Sequence, residues 1–114
     1  MIYFDHSATT PIHPKVAEKI DYINREHYAN PSSIYTQGRK AKSLIEKARN
    51  QVADAIGAKV EQIFFTSGGT EANNQVLWTK AEDKKKHIIV SSIEHPAILK
   101  VLKKIEPHGV TASL

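Results

Sequence analysis

The sequence predicts an α/β fold in which helices flank an incomplete parallel sheet. Three observations carry that prediction. Two short apolar runs, Gln62-Ile63-Phe64-Phe65-Thr66 and His87-Ile88-Ile89-Val90-Ser91, lack polar alternation at their centres, the composition of strands buried on both faces. A helical stretch lies between them, so the order is strand, helix, strand. The first run is cut off abruptly by Ser67-Gly68-Gly69-Thr70, and a further helical pattern follows the second, as crossover connections between parallel strands require.

The elements follow in order. After a short extended start at Ile2 to Phe4, the cluster Asp5-His6-Ser7-Ala8-Thr9-Thr10-Pro11 punctuates the chain. From Pro14 to about His27, Val16, Ala17, Ile20 and Ile23 recur at helical spacing, and a proline in the first turn removes only a donor the helix could not use. Ala29-Asn30-Pro31-Ser32-Ser33 breaks the pattern. A second helix is expected from about Gly38 to Ile56, with Ala41, Leu44, Ile45, Ala48, Val52, Ala55 and Ile56 on one stripe and Gly57 as its cap. Between the two strands, Glu71 to about Lys80 reads as a helix with Ala72, Val76 and Leu77 inward. A last helix spans Pro96 to about Ile105, with Ala97, Ile98, Val101, Leu102 and Ile105 buried, before Pro107-His108-Gly109 turns the chain into a third strand at Val110-Thr111. Two or three parallel strands leave edges and helix faces without neighbours, so the chain reads as the front part of something larger.

Composition narrows the function. The 114 residues are 40% hydrophobic and 25% charged, which excludes a disordered chain. No cysteine is present, so disulfides, thiolate metal sites and a cysteine nucleophile are excluded within these residues. The apolar runs are too short to cross a bilayer and no secretory or lipidation motif is visible; a cytoplasmic protein without a membrane partner is expected. Sixteen basic against twelve acidic residues are mixed along the chain. The densest basic run, Lys84-Lys85-Lys86, has no aromatic interleaving and reads as a solvated turn, so no nucleic-acid partner is expected.

Thr66-Ser67-Gly68-Gly69-Thr70, placed between a strand and a helix, would aim unpaired backbone N–H groups at one spot beyond the strand's carboxyl end, where phosphate binds well. The glycines permit close approach, and Thr70 adds a hydroxyl; each donor to a charged group contributes about 1.5–3 kcal/mol. Neither a Walker loop nor a dinucleotide fingerprint is present. The plainer alternative is a tight turn with Thr70 capping the helix. Glu94-His95-Pro96 follows the next strand on the same sheet edge, where His95 could stack on a flat ring or shuttle a proton, or merely cap the helix opened by Pro96. His87, His95 and His108 lack metal-ligand spacing. Asn30-Pro31-Ser32-Ser33, with Arg39 beyond it, consists of ordinary turn residues.

Four ordered motifs together have a more specific likeness. Tyr3-Phe4-Asp5-His6-Ser7-Ala8-Thr9-Thr10-Pro11, Asn30-Pro31-Ser32-Ser33 with Gly38-Arg39, Phe65-Thr66-Ser67-Gly68-Gly69-Thr70-Glu71-Ala72-Asn73-Asn74, and Glu94-His95-Pro96-Ala97-Ile98-Leu99 resemble the N-terminal part of NifS- and IscS-type cysteine desulfurases. These belong to the class-V aminotransferase superfamily. The resemblance implies a fold-type-I enzyme dependent on pyridoxal 5′-phosphate, homodimeric in full-length form. Such an enzyme takes sulfur from L-cysteine as an enzyme persulfide, leaves alanine, and serves iron–sulfur cluster or thio-cofactor assembly through an acceptor or scaffold protein. Carried over by motif, Gly69 and Thr70 hold the cofactor phosphate and His95 stacks on its ring. Residues 1–30 would be a small-domain segment and 31–114 the start of the large cofactor-binding domain.

The chain reads His6-Ser7 where the family typically has Asn-Ala, and Tyr35 where it commonly has His. The Schiff-base lysine in its Ser-x-His-Lys setting, the aspartate paired with the pyridine nitrogen and the sulfur-accepting cysteine are expected beyond residue 114. No catalytic residue is therefore assigned, and the chain alone is expected to be inactive. A selenocysteine lyase or another class-V aminotransferase is the alternative within the superfamily. A non-enzymatic fragment acting as an interaction module is the alternative outside it.

Overall fold

The computed structural model describes residues 2–83 and 86–113. Lys84 and Lys85, on which the expected solvated turn falls, lie outside the described residues. The chain divides between Ile63 and Phe64 into two compact units.

The first unit holds two helices. Helix α1, Pro14–Glu26, starts where Pro14 takes the first helical position and His13 caps it, its Nδ1 accepting the Lys15 N–H at 3.2 Å. It buries no residue: Val16 and Ile20 remain 51% and 47% exposed. Helix α2, Thr36–Ile56, ends at Gly57, whose φ of 67° is the left-handed conformation glycine supplies without strain. The Ala58 N–H then returns to the Ala53 carbonyl at 2.9 Å. The expected apolar stripe is only partly used, since Ala41 is buried but Val52 and Ile56 are 39% and 67% exposed. Ala53 is buried instead, and Arg49 is half-buried and donates to the Ile63 carbonyl.

The first expected strand does not form. Val60–Gln62 make a short 3-10 turn and residues 63–66 run on irregularly, with Phe64 and Phe65 71% and 51% exposed. A strand needs a neighbour to take its backbone hydrogen bonds. Among the described residues no strand ladder includes residues 63–66.

The second unit supplies the sheet. Helix α3, Gly69–Glu82, leads to strand β1, His87–Ile89; helix α4, Pro96–Ile105, and a 3-10 turn at Glu106–His108 lead to strand β2, Thr111–Ser113. The strands pair in parallel, His87 beside Thr111 and Ile89 beside Ser113. Leu77, Val101, Leu102, Ile105 and Val110 form the core between helices and sheet, with Ala81, Ile88, Val90 and Ile98 packed against it. Val76, expected inward, is 64% exposed. Ile88 points into this core while Ile89 is 80% exposed, so the sheet is covered on one face rather than both. The expected incomplete parallel sheet with flanking helices is therefore present, built from the second and third predicted strands. Among the described residues no helix is long and apolar enough to cross a membrane.

Candidate functional site

The glycine turn opens helix α3 two residues earlier than expected, so Gly69 and Thr70 are its first two residues and Gly68 its N-cap. The first N–H groups of a helix have no partner within it and look to a capping side chain, water or ligand. Gly68 offers no side chain, and no side-chain cap hydrogen bond forms there. Its backbone is extended, φ 164°, a conformation open to any residue. A Cβ added at Gly68 or Gly69 would meet nothing within 4 Å. The spot beyond the turn is open, and a bound group can come close to the backbone.

What shapes the turn is a contact the sequence reading passed over. The Glu71 Oε2 accepts both the Ser67 N–H at 2.7 Å and the Ser67 hydroxyl at 2.6 Å. These bonds, the hydroxyl's foremost, hold the Glu71 carboxyl below its ordinary value of 4.5. Thr66 adds a hydroxyl bond to the Gly68 carbonyl at 3.2 Å. The available signal was a Glu at the third position of a helix, the acidic half of a capping box. The Thr70 hydroxyl has no hydrogen-bond partner among the described residues, while the Thr70 carbonyl accepts from the Asn74 side chain at 2.7 Å.

His95 caps helix α4, as one of the two sequence readings expected. Its Nδ1 accepts the Ala97 N–H at 3.1 Å, and Pro96 occupies the first helical position. An Nδ1 that accepts carries no proton, so the neutral ring carries it on Nε2, and the ring is exposed. Capping thus leaves both the ring face and the Nε2 donor free for a ligand. Helix α4 follows the carboxyl end of β1, and α3 precedes its amino end. No hydrogen bond or ring contact among the described residues joins His95 to Gly69 or Thr70. No group of three or more potential metal ligands occurs among the described residues.

The Asn30-Pro31-Ser32-Ser33 loop is a built turn in the first unit. The Asn30 side chain accepts the Ser32 N–H at 2.9 Å and its carbonyl accepts the Ser33 N–H at 3.0 Å. Arg39 is turned back onto the Ile34 carbonyl at 3.0 Å.

The parallel unit β1–α4–β2, preceded by a helix that opens at an uncovered glycine turn, has the kind of connection found in phosphate-cofactor-binding α/β domains, although among the described residues no strand leads into the turn. The class-V aminotransferase family matches residues 2–113, and the chain belongs to it. It is similar to the cysteine desulfurase IscS of Methanosarcina thermophila, 46% identical over 111 residues, which is 95% of this chain and 28% of that protein. Among solved structures it resembles a NifS-like protein with a TM-score of 0.89 and 39% identity, covering 98% of this chain and 32% of that one. A structure described as SspA in complex with cysteine follows, with a TM-score of 0.83, 35% identity and 97% and 33% coverage. The chain spans about a third or less of the length of these relatives.

Class-V aminotransferases and cysteine desulfurases depend on pyridoxal 5′-phosphate. The residues present fit that group: amides without a side-chain cap and a hydroxyl without a partner among the described residues suit its phosphate, and the space a Cβ would take at Gly69 is open to it.

Proposed function

We propose that the chain is the phosphate-gripping part of a cysteine desulfurase, in which Gly69 and Thr70 hold the phosphate of pyridoxal 5′-phosphate and His95 lies over its ring. The observation that carries this reading is the glycine turn in a class-V chain: among the described residues, a helix start with no side-chain cap, no obstructing side chain and a hydroxyl without a partner. When bound, the cofactor supplies an electron sink for the bonds broken on the substrate. The residues of this chain bind and orient. The amides at the start of α3 and the Thr70 hydroxyl take the phosphate oxygens, and the His95 ring covers the pyridine with Nε2–H as the donor toward substrate. The persulfide cysteine comes from outside these residues, which contain none.

The likeness to named cysteine desulfurases supports L-cysteine as substrate and alanine plus an enzyme persulfide as products. A cytoplasmic homodimer, delivery of sulfur to an acceptor for iron–sulfur or thio-cofactor assembly, and residues 1–30 and 31–114 as the beginnings of a small and a large domain belong to the same reading. Titration of the ¹⁵N-labelled chain with pyridoxal 5′-phosphate tests its core. Amide signals of Gly69 and Thr70 are expected to move, with pyridoxal lacking the phosphate moving them far less. Equal response to both compounds, or to neither, would refute the phosphate seat.

A further inference from the structure

Gly68 and Gly69 stand side by side at the point where the turn must hold its shape, and glycine backbones are the freest of all. A loose turn would have to be ordered each time a phosphate bound. One feature works against that looseness: the Glu71 carboxylate closes a ring across both glycines, taking the Ser67 N–H at 2.7 Å and its hydroxyl at 2.6 Å. The arrangement is half of a capping box, with the acidic arm present and, at Gly68, the Ser or Thr arm missing. The acidic arm reaches past Gly68 to Ser67, so it consumes none of the first-turn donors of α3.

We propose that Glu71 is a positioning residue for the phosphate seat: by holding Ser67 it sets the turn over residues 66–70 and keeps the Gly69 and Thr70 donors aimed outward. The proposal rests on the phosphate reading of that turn. It differs from a charge effect in its consequence. A glutamine can accept the same two hydrogen bonds through its Oε1, whereas an alanine accepts neither, so the clamp predicts that Glu71→Gln rescues what Glu71→Ala loses.

The test follows the Gly69 and Thr70 amide signals of the whole chain during titration with inorganic phosphate and, separately, with pyridoxal 5′-phosphate. Glu71→Ala is expected to bind about tenfold more weakly than the wild type and Glu71→Gln within about threefold of it. Ser67→Ala, which removes one of the two bonds and leaves the charge, should fall between them. Signals from β1 and α4 report in the same spectra that each variant is folded. Wild-type affinity in Glu71→Ala and Ser67→Ala, or tighter binding by Glu71→Gln, would overturn the clamp. Absence of any phosphate response in the wild type would instead remove the phosphate seat, and the clamp's role with it.

Discussion

An ideal Cβ placed on Gly38 would lie 2.6 Å from the Asn30 carbonyl oxygen and 2.7 Å from Ser33, so the Asn-Pro-Ser-Ser turn packs on this glycine's bare backbone. Gly38→Ala should cost about 1–3 kcal/mol, read as a lower denaturation midpoint with unchanged slope. Gly68 is a glycine for a different reason, because neither its φ nor its surroundings exclude a side chain. Gly68→Ser would place a hydroxyl where an N-cap belongs, satisfy one of the first-turn amides of α3 and raise stability by a few tenths of a kcal/mol. The same bond would compete with phosphate. The expected outcome is a slightly higher melting temperature together with weaker pyridoxal 5′-phosphate binding; gain or loss of both together would count against the role given to the uncapped amides. Thr70→Val keeps the shape and deletes only the hydroxyl, so a drop in cofactor affinity of about tenfold is expected by titration.

Helix α3 depends on pH through the Glu71 carboxyl. The Glu71 carboxyl lies below its ordinary value of 4.5 because it accepts from Ser67, so its contribution is whole above that value and fades as pH falls through the lowered one. The Ser67 amide signal should therefore titrate with a midpoint under 4.5, and a midpoint at or above 4.5 would mean that the carboxylate is not held. Helices were the elements most open to sequence reading. Pro14 and Pro96 mark the starts of α1 and α4 and Gly57 the end of α2 within a residue, because such signals act locally. Phe64 and Phe65 misled for the complementary reason: a strand is defined by a partner, and composition near Ile63 says nothing of whether one is at hand. At the site, Gly69, Thr70 and His95 could be placed at helix starts from order alone. The Ser67–Glu71 clamp was signalled only by a Glu three residues after Gly68, which would point to the Gly68 N–H and not to Ser67, and Ser and Glu four apart are commonplace.

The second unit has one core, and Ile105, fully buried at 0% exposure, sits at its centre. Ile105→Ala should cost about 2–5 kcal/mol, large against the 5–15 kcal/mol of an ordinary domain. The other side of β1 is exposed. Ile89 on β1 is 80% exposed and Ile93 in the following loop 92%, and Phe64, where this unit begins, is 71% exposed. Covering one such side chain contributes about 1.5–3 kcal/mol, and two three-residue strands leave unpaired edges that invite another chain. The purified chain is accordingly expected to associate as its concentration rises, seen as an increasing mass in sedimentation equilibrium, and Ile89→Lys with Ile93→Lys should lower that tendency without unfolding the core they do not touch. A sharp monomer with dispersed amide signals up to millimolar concentration would show that these exposed side chains do not drive association.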